Sequence, residues 1–189
     1  MPTIEIRVKA PTNRENMGTL QVIDATGITI FGPVNAYLLA DRKTAISKGN
    51  ASRDPLKPFG NTPLGSYDVT GFAPATPQRS NLGPNGSLRL NPTGGDALQA
   101  KVNGRTGLLI HGGKLGSNNK LRPTNGCIRL SDGDMSGLVN LYNTLVPPLT
   151  CSINSFTLDV VTNAGDIMPE GIDDGDPPIE IPAGGVVFP

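Results

Sequence analysis

The chain has 189 residues, and its 16 Lys and Arg balance 16 Asp and Glu, so the formal net charge is zero. That balance excludes the basic footprint of a nucleic-acid binder, and the length is enough for one core without disulfide or metal staples. Two cysteines and one histidine cannot supply the four ligands of a structural zinc site, so no metal or cofactor is expected.

Glycine (24) and proline (18) are plentiful, which with abundant Thr, Val and Ile predicts a turn-rich, mainly β protein. The opening "MPTIEIRVKA" lacks the charged-then-apolar pattern of a secretory signal. No apolar run approaches the ~18 residues of a membrane span. Within that opening, Ile4, Ile6 and Val8 alternate with polar residues, which predicts a half-buried strand. "GTLQVIDATGITIFGP" predicts two strands around an Asp24–Gly27 turn, and "NAYLLA" a third. Residues 47–62 read as loop, a segment long enough to cover a cleft. "TPLGSYDVTGF" predicts a strand around Tyr67 and Val69, and 73–97 reads as a turn-rich connection without regular structure.

Downstream, "LQAKV" and "RTGLLIH" flank Asn103-Gly104, a dipeptide suited to tight hairpin turns. The spacing predicts a hairpin that ends on His111, the sole histidine. Ser131 and Asp134 have capping-box spacing, and Met135, Leu138, Val139, Tyr142, Leu145 and Val146 mark one face of a helix that Pro147-Pro148 stops. "TCSINSFTLDVVT" predicts a closing strand. One domain over 1–162 is expected, followed by an acidic, Pro/Gly-rich, flexible tail over 163–189.

Cys127 lies in "LRPTNGCIRLSDGD", flanked by the polar turn residues Thr124, Asn125 and Gly126. A thiol is mostly protonated at neutral pH and attacks as the thiolate, so an imidazole within hydrogen-bond reach can activate it as a thiolate–imidazolium pair. If the sulfur lies near the following helix start, the positive end there would favour the thiolate and its N–H groups could receive an oxyanion. Gly126 would let the backbone approach a substrate. Free cysteine is equally a common buried, inert residue. Cys151, in "LTCSINSF", has the setting of strand packing, and a Cys127–Cys151 bridge is allowed but not required by the sequence.

"IHGG" followed by "TNGCIRLSD", with "TPLGSYDV" upstream, resembles the signature of the L,D-transpeptidase catalytic domain. The resemblance spans about residues 20–162, with its motif core near 60–150. It implies two packed mixed sheets, β-sandwich-like, with one principal helix after the nucleophile. It also implies peptidoglycan stem peptides as substrate, Cys127 as nucleophile and His111 as base, with the Gly112 carbonyl holding the imidazole tautomer. The Gly126 and Cys127 amides become candidates for the oxyanion hole, with Thr124 and Asn125 beside them. Arg129 matches an Arg/Asn position that would orient substrate or brace the cleft, or else sit solvated on the surface. Arg122 has no firm match and reads either as a partner for a stem carboxylate or as an exposed loop residue. Asn125 stands where the family often has His, which points to altered substrate contacts or loop hydrogen bonding. Tyr67 reads as core.

Cleavage of the bond between the third stem residue and D-alanine through a thioacyl-enzyme is thus the expected chemistry, with an amine or water as acceptor. The alternatives are a non-catalytic wall-binding domain on the same fold and an exported toxin aimed at a competitor's wall. Action would be in the periplasm or cell wall, reached by a route other than a signal peptide, with a secretion machine or immunity protein as possible partner.

Overall fold

The computed structural model describes residues 4–116, 120–145 and 149–156. The predicted first strand is β1 (Ile4–Pro11), which buries Ile6, Val8 and Ala10 and exposes Arg7 and Lys9, the period-two pattern of its sequence. β2 (Gly18–Ile23) and β3 (Thr29–Ala36) follow as the expected hairpin. Its turn is closed by the Asp24 carboxylate, which accepts from Thr26 N and Ile28 N at 2.9 Å each. "NAYLLA" is not a separate strand. β3 ends at Ala36, and beyond it Tyr37 and Ala40 make single bridges to Arg129 and Thr124. A short helix, α1 (Arg42–Ser47), is capped by the Asp41 side chain on Thr44 N at 2.7 Å.

β4 (Gly65–Ala73) is the strand predicted around Tyr67. The connection expected to be irregular instead holds a 3-10 segment (Pro77–Leu82) and β5 (Ser87–Gly94), paired antiparallel with β4. A second correction concerns "LQAKV", which forms α2 (Gly95–Val102) and not a hairpin strand. Asn103 is the C-cap, its N–H bonded to Gln99 O at 3.0 Å, and Gly104 takes φ +86° just beyond. Ala97 and Ala100 face inward at 0% exposure, which lets α2 sit close on β4 and β5.

β6 (Leu109–His111) and β7 (Ile128–Arg129) carry the two motif elements, and α3 (Asp132–Thr144) starts on the predicted cap. Ser131 Oγ accepts from Asp134 N at 3.0 Å, and Met135 and Leu138 enter the core while Val139, Tyr142 and Leu145 pack against it. Val146, Pro147 and Pro148 lie outside the described residues. β8 (Leu149–Phe156) is the closing strand; the tail, and everything after residue 156, also lies outside them.

The eight strands make one continuous mixed sheet in the order β3-β2-β1-β8-β4-β5-β6-β7, so the expected pair of packed sheets is replaced by a single sheet. β1–β8 and β6–β7 are parallel and the other neighbours antiparallel. Its two edges meet where Tyr37 N donates to Arg129 O and Arg129 N to Tyr37 O, both at 2.9 Å, so the sheet is nearly closed into a barrel. The core fills the inside, with Ile6, Leu20, Leu88, Ile110, Ile128 and Ile153 all at 0% exposure. No helix among the described residues is long and apolar enough to cross a membrane.

Candidate active site

The register of β6 and β7 pairs Ile110 with Ile128 and His111 with Arg129. The two isoleucines point into the barrel. Strand alternation therefore sends Leu109, His111 and Arg129 to the opposite face. Two motifs sixteen residues apart in the chain are thereby brought together on adjacent strands, with Cys127 in the turn just before β7 and its sulfur beside Gly107 O and the Leu109 N–H.

His111 is 2% exposed, and its Nδ1 lies 2.6 Å from Gly112 O. A carbonyl oxygen only accepts, so Nδ1 carries the proton and Nε2 keeps its lone pair, the form a general base needs. Burial pushes the imidazole pKa down to about 4; the Gly112 carbonyl and the Asp132 charge oppose that shift, and the Arg129 charge adds to it. The Gly112 carbonyl is in turn held in place by Asp132, whose Oδ1 accepts from Gly113 N at 2.7 Å. A methyl group on Gly112 would run into that carboxylate, and Gly113 takes φ +123°, which explains why glycines follow the histidine. Asp132 is the last residue of "TNGCIRLSD", next to the helix cap, and sequence reasoning assigned it no role.

Folding with a buried neutral His111 has a consequence for stability. Below pH 6.5 the unfolded chain protonates this residue and the folded chain does not until about pH 4, so stability falls as pH drops through that window. The loss is expected to reach roughly 3 kcal/mol. Urea unfolding at pH 7 and pH 4.5 measures it, and His111→Gln should flatten the difference. Equal pH slopes in both proteins would refute the buried neutral histidine.

Cys127 is half-buried in the turn before β7, four residues ahead of the Ser131 cap in the chain. Desolvation pushes the thiol pKa up, opposed by the Leu109 N–H and by the charges of Arg105 and Arg129. The thiol is 3.7 Å from Gly107 O. Burial thus disfavours charge on both the thiol and the imidazole, which opposes the thiolate–imidazolium pair expected from sequence.

The turn itself is tied down from three sides. Thr124 Oγ1 donates to Cys127 O at 2.9 Å and accepts from Gly126 N at 3.0 Å. Thr62, the first residue of "TPLGSY", lies at 0% exposure with Oγ1 3.3 Å from Cys127 O. The third tie is Arg105, which sequence reasoning missed. Only 3% exposed, its guanidinium donates to the carbonyls of Pro55 (2.5 Å), Asn61 (2.8 Å), Gly60 (2.7 Å) and Gly126 (3.3 Å). It therefore anchors the 47–62 loop to the nucleophile turn. Gly126 is glycine because a methyl group would occupy the place of this guanidinium, and φ there is +103°. That is a packing reason for the glycine, besides the approach of substrate expected from sequence. The Gly126 amide is also already used by Thr124, which leaves the Cys127 amide as the one of the two proposed donors able to meet an oxyanion.

Arg129 is not a solvated surface residue. At 7% exposure it donates to Lys114 O and Asn81 O, both at 3.3 Å, bracing the segments on either side of His111. Asn125 is exposed on the turn and Arg122 is half-buried. Tyr67 is core as expected, its hydroxyl on Pro63 O at 2.7 Å. Cys151 is buried in β8, its thiol pKa pushed up by desolvation, and both cysteines are free. No cluster of metal-ligating side chains occurs among the described residues.

Comparison with solved structures finds Mycobacterium tuberculosis L,D-transpeptidase 1 at 15% identity and TM-score 0.40, covering 79% of this chain and 60% of that one. The helical cell shape determining protein Pgp2 from Campylobacter jejuni is 15% identical with TM-score 0.45, covering 81% of this chain and 48% of that one. The chain thus spans less than two thirds of either protein. No curated protein sequence matches. The family model of the YkuD L,D-transpeptidase catalytic domain matches residues 36–152, the stretch that holds Thr62, Arg105, His111, Cys127 and Asp132. The chain belongs to the L,D-transpeptidase catalytic domain family.

Proposed function

We propose that the chain is a cysteine acyl-transferase acting on peptidoglycan tetrapeptide stems at the cell wall. The observation that carries this is the His111 imidazole, buried and oriented by Gly112 O at 2.6 Å, on the strand paired with the one that Cys127 leads into. Cys127 Sγ attacks the carbonyl of the third stem residue as His111 Nε2 takes the thiol proton, and the carbonyl becomes an oxyanion facing the Cys127 amide. As the tetrahedral species collapses, the C–N bond to D-alanine breaks and His111 returns the proton to the leaving amine. The resulting thioester is then attacked by an amine, giving a cross-link or an exchanged D-amino acid, or by water, giving carboxypeptidase activity; the attacking group's proton passes through His111.

The other groups act on the turn. Thr124, Thr62 and Arg105 hold the Cys127 backbone, and Asp132 holds the carbonyl that orients His111. Asn125, exposed beside the nucleophile, contacts the stem in this scheme.

Intact-mass analysis of the chain mixed with a synthetic tetrapeptide tests the scheme. An adduct equal to the tripeptide acyl group on Cys127, with release of one D-alanine, is expected. Tight binding of the stem with neither adduct nor release would instead establish a non-catalytic wall-binding domain.

A further inference from the structure

Charge is divided unevenly along this chain. Residues 1–156 carry all 16 Lys and Arg with nine of the 16 acids, whereas residues 157–189 carry the other seven acids and no base. The zero net charge is therefore a cationic body balanced by an acidic tail, and unlike charges on one chain attract. The acids are densest from 172 to 182, where Asp173, Asp174, Asp176 and Glu180 are interleaved with Ile172, Ile179 and Ile181. Pro177, Pro178 and Pro182 in the same stretch lower the chain entropy that docking would cost.

The described residues present a matching surface. A groove of about 610 Å³ is lined by Leu82, Leu90 and Leu108 and by four cations, Arg79, Arg89, Lys101 and Arg105, with no Asp or Glu. Arg105 is committed to backbone carbonyls, whereas Arg79, Arg89 and Lys101 are exposed and take part in no ion pair among the described residues. Lys101 Nζ is held at 2.7 Å by Asn91 Oδ1, a neutral partner that positions the ammonium and leaves its charge. Cations gathered without an acid repel one another, a cost that an acidic occupant removes.

Reach allows the tail to be that occupant. β8 ends at Phe156, and Tyr67 of β4 pairs with Cys151 of β8 on one side and Pro92 of β5 on the other. Pro92, in the groove lining, is thus level with Cys151 and two strands across, on the order of 20 Å from Phe156. Asp173 lies seventeen residues beyond Phe156, a span of up to roughly 55 Å when extended. The groove also adjoins the nucleophile: Gly107 and Leu109 line it, and the Cys127 sulfur sits beside Gly107 O and the Leu109 N–H.

We propose that segment 172–182 of this chain docks in the groove and covers the approach to Cys127. Its acids meet Arg79, Arg89 and Lys101, and its isoleucines lie on the leucines between them. The docking stands on charge, shape and reach; that it slows acyl transfer rests on the function proposed above.

Calorimetric titration with a synthetic peptide of residues 170–184 tests the docking. The receiving protein is the full chain carrying Asp173→Asn, Asp174→Asn, Asp176→Asn and Glu180→Gln, whose own segment no longer competes. It should bind the peptide roughly 10-fold or more tighter than the parent chain, where the tethered segment holds the groove. Adding Arg89→Gln and Lys101→Gln, both at exposed positions, should weaken that binding by roughly 10- to 100-fold without moving the thermal midpoint. No binding, or binding that survives the groove substitutions, would overturn the docking. So would an equal loss from Lys9→Gln with Arg42→Gln, two exposed cations outside the groove, because general attraction of unlike charges would then suffice. D-alanine release should be several-fold faster in the neutralised chain than in the parent. Equal release from both would remove the inhibitory role. Release from neither would sink the acyl transfer instead, with the peptide titration still deciding the docking.

Discussion

D-alanine release from a tetrapeptide stem is expected to fall on the order of 10⁴-fold in Cys127→Ser and comparably in His111→Gln. Serine keeps the shape of the side chain but is a far weaker nucleophile beside an imidazole of such low basicity. Glutamine can still donate to the Gly112 carbonyl, so it removes the base while retaining that contact. Because the two residues perform one proton transfer, the double substitution should be scarcely worse than either single one. The pH profile carries independent information. With the His111 pKa near 4, the acid limb of kcat/KM should stay flat through pH 5 and drop only as pH approaches 4. Rapid thiol alkylation at pH 6 is not expected, since desolvation keeps the Cys127 thiol protonated. Retention of more than a tenth of the activity in His111→Gln would remove His111 from the mechanism.

Arg105→Met is expected to cost about 3–5 kcal/mol of stability, the usual scale for breaking a buried charged hydrogen-bond network. The substitution leaves the carbonyls of Pro55, Gly60, Asn61 and Gly126 without their shared donor and frees the loop from the nucleophile turn. Arg105→Lys keeps the charge but offers a single nitrogen in place of the planar fork, so a smaller loss of about 1–3 kcal/mol is expected. Gly126→Ala should resemble Arg105→Met, because the new methyl takes the guanidinium's place. The two together should be markedly less than additive. Removing the positive charge should also raise the pH at which Cys127 reacts with an alkylating reagent, an effect that loss of packing alone does not predict. Urea denaturation and the alkylation profile measure these terms. An Arg105→Met protein as stable as the parent would refute the anchoring role.

Asn103-Gly104 shows why part of the fold was illegible. The dipeptide suits a tight hairpin turn and equally the end of a helix, because both need a residue with positive φ. "LQAKV" has no strong preference, and burial of Ala97 and Ala100 against β4 and β5 decided for a helix. The stretch from 73 to 97 hid β5 for a related reason. Its Asn, Pro and Gly residues are poor strand formers, yet pairing with β4 on one side and β6 on the other holds them extended.

The sequence by itself determined the mainly β character, the first three strands, the Ser131-capped helix, and the order of the three motif elements that carry Thr62, His111 and Cys127. These are local quantities: side-chain period, capping chemistry, and residue types at short spacing. Tertiary structure alone decided that the strands form one nearly closed sheet, because closure depends on two backbone hydrogen bonds between Tyr37 and Arg129, ninety-two residues apart in the chain. It also decided that Arg105 lies under the nucleophile turn, that Gly126 spends its amide on Thr124, and that burial disfavours charge on the thiol and the imidazole. Those last facts follow from burial and from which carbonyls converge on a side chain, and neither exists until the chain has folded.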